Sequence, residues 1–164
     1  MSDPMRDIRR IYIHCSAAPA RYGLEDIRQW HLDHGWSDVG YHLVVELAEE
    51  GWRAVAGRGM GTVGSHVRGD NSHSYGICIC GRYDDESPPE DAWVLAVNSA
   101  AGICYLHNLD PLVAVLGHRE CGTVPGVPAT SKTCPGAAVP MDAFRDAVAA
   151  QVDELRRLQG LVGA

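Results

Sequence analysis

The sequence predicts an α/β fold in which a central mixed β-sheet is flanked by helices, and three observations carry that prediction. Residues 9–14 (RRIYIH) form a short β-branched and aromatic run, and residues 112–118 (LVAVLGH) are apolar almost throughout, as in strands covered on both faces. Other segments place apolar residues at helical spacing. Together they give the order strand, helix, three strands, helix, strand, helix, which suits one sheet with helices packed on it.

The elements follow in chain order. After the 9–14 strand, Leu24, Ile27, His31 and His34 recur at helical spacing, and Gly35 is a plausible stop. YHLVVEL (41–47) and WRAVA (52–56), separated by AEEG, read as a hairpin. Gly57 to Ser74 is polar and glycine-rich without a period, hence a long loop. SYGICICG (74–81) is the next strand, with Cys78 and Cys80 on one face and Ile77 and Ile79 on the other. Beyond the acidic turn DDESPPED, Trp93, Val97, Ala100, Cys104 and His107 mark a helix that precedes the 112–118 strand. Arg119 to Pro140 carries Pro125, Pro128, Pro135 and Pro140 and little periodicity, a loop too long for a mere connector. Phe144, Val148, Val152 and Leu155 define a closing amphipathic helix, with Asp142 as its candidate cap.

A chain of 164 residues with 46% hydrophobic residues can bury one substantial core, so a single domain spanning 1–164, with its core at about 8–158, is expected. The net charge of −7 lacks the basic footprint of nucleic-acid binding and disfavours that partner. Charges spread through the first thirty residues, and no run of 18 apolar residues occurs, so a cytoplasmic product without a membrane span is expected. Without a secretory signal, the six cysteines read as buried hydrophobes, metal ligands or nucleophiles rather than as disulfides.

Two strands that each end in histidine are the most informative feature, because ligands of α/β sheets gather beyond strand ends. His14 and His118 can meet there, and Cys134 in SKTCPG offers a thiol from the proline-rich loop. A catalytic zinc site needs three such ligands and an open fourth position. Cys121, Cys15 and the pair Cys104 with His107 are rival ligands, and spacing does not rank them. A cysteine hydrolase built on Cys15 would need a histidine other than His14, since adjacent strand residues face opposite ways. Lys132 is the only lysine among fourteen basic residues, and a compact ammonium two residues from Cys134 suits contact with an oxyanion. Gly59, Gly61 and Gly64 match a dinucleotide fingerprint in form only, because no helix opens at the third glycine. Trp30 and Trp36 flank a helix end and read as packing residues.

IYIHCSA (11–17), IRQWHLDHGWSDVGYHLVV (27–45), VGSHVRGDNSHSYGICICG (63–81), and GHRE followed by KTCPG resemble, in this order, the zinc-dependent N-acetylmuramoyl-L-alanine amidases. That family comprises the amidase-2 enzymes and the peptidoglycan recognition proteins, and the likeness is nearest to its coliphage members. It runs from about residue 8 to residue 136.

The resemblance implies an amidase-2 or peptidoglycan-recognition-like fold and a Zn²⁺ ion on His14, His118 and Cys134, with Cys15 and Cys121 outside the ligand set. It implies catalytic roles for Tyr41 and Lys132, and places His66 and Asn71 in the substrate groove. The implied reaction is hydrolysis of the amide between N-acetylmuramic acid and L-alanine in peptidoglycan. The lack of a leader fits a phage or prophage endolysin that reaches the wall once a separate pore opens the membrane, or a cytoplasmic recycling enzyme. A murein-binding module without catalysis is the rival reading, and the intact ligand positions argue against it. A coliphage member also contacts the phage RNA polymerase through residues near its amino terminus; no match to them is found here, and that partner is not carried over. The loop from His118 to Cys134 is longer than in the coliphage members and carries the extra Pro125 and Pro128.

Overall fold

Five strands pair into one mixed sheet in the computed structural model, which describes residues 6–162. Residues 1–5 and 163–164 of the expected 1–164 domain lie outside the described residues. The elements are β1 (Arg10–Cys15), α1 (Leu24–Asp33), β2 (Leu43–Ala48), β3 (Gly51–Ala56), β4 (Ser74–Ile79), α2 (Glu90–His107), the single helical turn α3 (Pro111–Ala114), β5 (Val115–Gly117) and α4 (Met141–Val162). Their order across the sheet is β3-β2-β4-β1-β5. β1 is parallel to both β4 and β5, β2 is parallel to β4, and the β2–β3 hairpin supplies the antiparallel edge.

The two-residue period of the strands sorts their side chains into two cores. Ile11, Ile13, Ile77, Ile79 and Val45 face α2 and α4, where Ala96, Ala100, Phe144, Val148 and Val152 meet them. Val44, Cys78 and Cys80 face the other way, against Leu24 and Ile27 of α1. Tyr12 and His14 share that second face of β1 and are fully buried. Helix α1 has a glycine, Gly23, at its cap position; the Glu46 carboxylate of β2 accepts the Leu24 N–H at 2.6 Å instead, which pins the helix to the sheet.

The last strand differs from the sequence expectation. Residues 111–114 form a helical turn because Asp110 caps it, accepting the Leu112 N–H at 3.0 Å, and Pro111 occupies its first position, so only Val115–Gly117 pairs with β1. Asp142 does not cap α4. The helix begins one residue earlier, and Asp142 pairs with Arg145 at 2.7 Å inside the first turn. No helix among the described residues is long and apolar enough to cross a membrane.

Candidate active site

Strand register assembles the site. Ile13 of β1 lies opposite Gly117 of β5, so the next residue along each strand, His14 and His118, emerges at the same edge of the sheet. Their rings stand 4.8 Å apart, centroid to centroid, at 64°. Cys134 arrives from the loop before α4, with Sγ 3.6 Å from Nδ1 of His14. The ligand atoms of the three residues all lie within 4.8 Å of one another.

Backbone contacts hold the thiol there. The Arg119 N–H donates to the Cys134 carbonyl at 2.7 Å, and its guanidinium donates to the carbonyls of Val139, at 2.8 Å, and Gly136. Gly136 has φ +128°, and a side chain there would strike the Tyr83 carbonyl, so the turn after Cys134 requires glycine. Glu120 accepts the Gly117 N–H at 2.7 Å and an Arg145 guanidinium N–H at 2.9 Å, fastening the end of β5 to α4.

The trio fits zinc on geometry and on donor chemistry. With Zn–N near 2.05 Å and Zn–S near 2.3 Å, a tetrahedral angle separates nitrogen from sulfur by about 3.6 Å. His14 Nδ1 and Cys134 Sγ stand at that separation. Two imidazoles and a thiolate are donors that zinc accepts readily. Burial, reinforced by His66, His118 and Lys132, holds His14 well below the usual imidazole range, and burial with Lys132 lowers His118 to about 4. Both rings are therefore neutral, the form that binds metal, at physiological pH. The neighbouring Cys15 thiol and burial push the free Cys134 thiol upward, so a bound cation would have to displace its proton.

Two cavities of about 530 and 590 Å³ meet at this point, sharing Trp36, Ser65, His66, His118 and Lys132. One arm continues past Arg68, Asn71 and Thr130; the other passes Tyr41, Arg82 and Asp84. Lys132 is exposed at the junction. The Tyr41 ring lies 5.0 Å from that of His14, and burial raises its phenol well above the usual range, so it remains a hydrogen-bond donor. Asn71 lines its arm, while its Oδ1 accepts the backbone N–H groups of His66, at 2.8 Å, and Val67, at 2.9 Å. His66 lies beneath the junction, with Nδ1 3.1 Å from Nε2 of His14.

A family model described as N-acetylmuramoyl-L-alanine amidase matches residues 4–137. The chain belongs to this family. Among curated relatives, the endolysin of Enterobacteria phage K11 is 36% identical over 119 residues, covering 70% of this chain and 77% of the relative. The endolysin of Escherichia phage T7 is 45% identical over 78 residues, covering 46% of this chain and 50% of the relative. The match thus spans about half the length of the T7 protein. Among solved structures, the N-acetylmuramoyl-L-alanine amidase LysC from Clostridium intestinale superposes with a TM-score of 0.73 at 20% identity, covering 86% of this chain and 85% of that one, a likeness of fold.

Of the rival ligands of this amidase-family chain, Cys121, Cys104 and His107 stand elsewhere, while Cys15 sits beside Cys134. Cys121 turns its thiol to the Pro128 carbonyl at 3.2 Å, Cys104 is buried in the core under α2, and the His107 ring packs 5.5 Å from that of Tyr75. Cys15 packs on the opposite face of β1 from His14, outside the three-residue cluster, although its N–H donates to Cys134 Sγ at 3.4 Å; all six cysteines are free thiols. Sequence reading passed over the supports of the site. Arg119 and Glu120 belong to the GHRE motif, where adjacency to His118 is the only signal of their supporting role. His31, which helical spacing places on a helix face, lines the groove beside Trp36 while its Nδ1 accepts the Gly40 N–H at 2.9 Å.

Proposed function

We propose that the chain is a zinc-dependent N-acetylmuramoyl-L-alanine amidase that works as a phage endolysin, cutting the bond between the lactyl group of N-acetylmuramic acid and L-alanine of the stem peptide. The observation that carries this reading is the His14, His118 and Cys134 cluster at the junction of a two-armed groove. His14, His118 and Cys134 would hold the ion, which when bound supplies a Lewis acid for the scissile carbonyl and lowers the pKa of a water. The remaining work falls to the chain. Lys132, exposed where the arms meet, directs an ammonium at the oxygen on which negative charge develops, and the protonated Tyr41 phenol donates to the same region. His66 and Asn71 shape the floor and one wall of the groove. Glycan and stem peptide lie along the two arms, leaving the amide between them over the cluster. The endolysin relatives favour a role in lysis over one in recycling.

Mass spectrometry of purified murein after digestion tests the reading. The zinc-loaded protein should release stem peptides with free L-alanine amino termini and no new reducing sugars, and a chelator-treated control should release none. Intact murein after incubation with folded, zinc-loaded protein would overturn it.

A further inference from the structure

His14 has two ring nitrogens, and they have different neighbours. Nδ1 faces Cys134 Sγ at 3.6 Å, whereas Nε2 faces Nδ1 of His66 at 3.1 Å. Two ring nitrogens at that distance share one proton, so one ring donates and the other accepts. A neutral His14 that offers the Nδ1 lone pair to a metal carries its proton on Nε2, and the acceptor for that proton is His66 Nδ1. We propose that His66 is a positioning residue that locks His14 in the Nε2–H tautomer and so presents Nδ1 to the metal; this rests on the zinc reading above.

Three observations support the assignment. The fold holds His66 tightly from behind: its own N–H is bound by Asn71 Oδ1 at 2.8 Å, and its ring is pressed against two glycines. A Cβ on Gly76 would come within 2.8 to 3.0 Å of three ring atoms, and one on Gly64 within 2.7 Å of Cδ2. The glycines on either side are thus the space in which the imidazole sits. Secondly, His66 spends its Nδ1 on His14 rather than on the open groove. Thirdly, His66 Nε2 is buried without a hydrogen-bond partner among the described residues, so the polar contact of this ring is made at Nδ1, with His14. A histidine donating its distal N–H to a fixed acceptor is the usual outer partner of a metal-bound imidazole, here with a second imidazole in place of the common carboxylate.

The test compares H66L with H66N, which have similar shapes, the asparagine alone placing a carbonyl oxygen where Nδ1 stood. Zinc affinity is measured by competition with a chromophoric chelator, folding is checked by circular dichroism, and imidazole nitrogens of the zinc-loaded wild type are assigned by long-range ¹H–¹⁵N NMR. The expected result is a loss of about 10- to 100-fold in zinc affinity in H66L and recovery of most of it in H66N. In the wild type, His14 should be protonated at Nε2 with Nδ1 bound. Wild-type affinity in H66L, an H66N loss equal to that of H66L, or metal on Nε2 of His14 would each overturn the proposal while leaving the zinc reading intact. A wild-type protein that binds no zinc would overturn both. The NMR assignment uses wild-type protein only and decides the matter even if H66L does not fold.

Discussion

Lys132 lines the junction of the groove and Tyr41 the arm beside it, from separate loops, and in the proposed reaction each would offer a donor where charge accumulates. Removing one oxyanion donor typically costs about 10²- to 10³-fold in rate. Lys132→Ala and Tyr41→Phe should therefore retain one zinc per chain, by metal analysis, while losing turnover of that order in a murein-release assay. Lys132→Arg should fall well short of wild type, because a planar guanidinium does not replace a compact ammonium; equal rates would show that charge alone suffices. Cys134→Ala should abolish stoichiometric zinc, whereas Cys121→Ala should leave it unchanged, since the Cys121 thiol is directed at the Pro128 carbonyl. At this scale residue spacing named candidates without ranking them, and only the family resemblance chose among them. His14 and Cys134 are separated by 120 positions, and only the parallel register of β1 with β5, together with the Arg119 contacts, makes them neighbours. Periodicity did decide one point: alternation along β1 separates His14 from Cys15, and the structure puts them on opposite faces.

Elements were legible where a period ran long enough to read. The face assignment of β4, with cysteines one way and isoleucines the other, followed from alternation alone and matches the two cores. The stretch 112–118 misled because apolar content was read without the Asp-Pro signal that starts a helical turn at residue 111. The loop between β3 and β4 gave no period to read, yet it carries a buried anchor. Asp70, 2% exposed, accepts from Arg10 Nη2 at 2.7 Å and from the Tyr12 hydroxyl at 2.9 Å, tying the loop that bears His66 to the strand that bears His14. Asp70→Ala leaves a largely buried guanidinium and a buried phenol unpaired. It should cost about 3 kcal/mol in urea unfolding of the chelated protein, and a loss below about 1 kcal/mol would show that the anchor is dispensable.

Across the whole molecule, the second face of the sheet gathers imidazoles that are neutral because they are buried. His42 accepts the Gly76 N–H at Nδ1, at 3.1 Å, and donates from Nε2 to the Thr62 carbonyl at 2.9 Å; burial lowers it to about 4. Burial lowers His66 to about 3. A histidine with a depressed folded-state pKa takes up its proton more readily in the unfolded chain, so its penalty is absent above about pH 6.5 and grows as pH falls toward the folded value. For His42 the loss reaches about 3 kcal/mol at full extent. The unfolding midpoint of the chelated protein should decline from about pH 6.5 downward, with a shallower decline in His42→Gln; an unchanged midpoint at pH 5 would contradict it. The 120-position span between His14 and Cys134 gives the cluster one more effect. An ion held by both residues would be a clasp across most of the chain, and its site, assembled from positions 120 residues apart, would come apart when the chain unfolds. Heat resistance then becomes a function of free zinc, rising with each increment above the dissociation constant, and a protein stripped of metal should melt earlier in calorimetry even where no substrate is present.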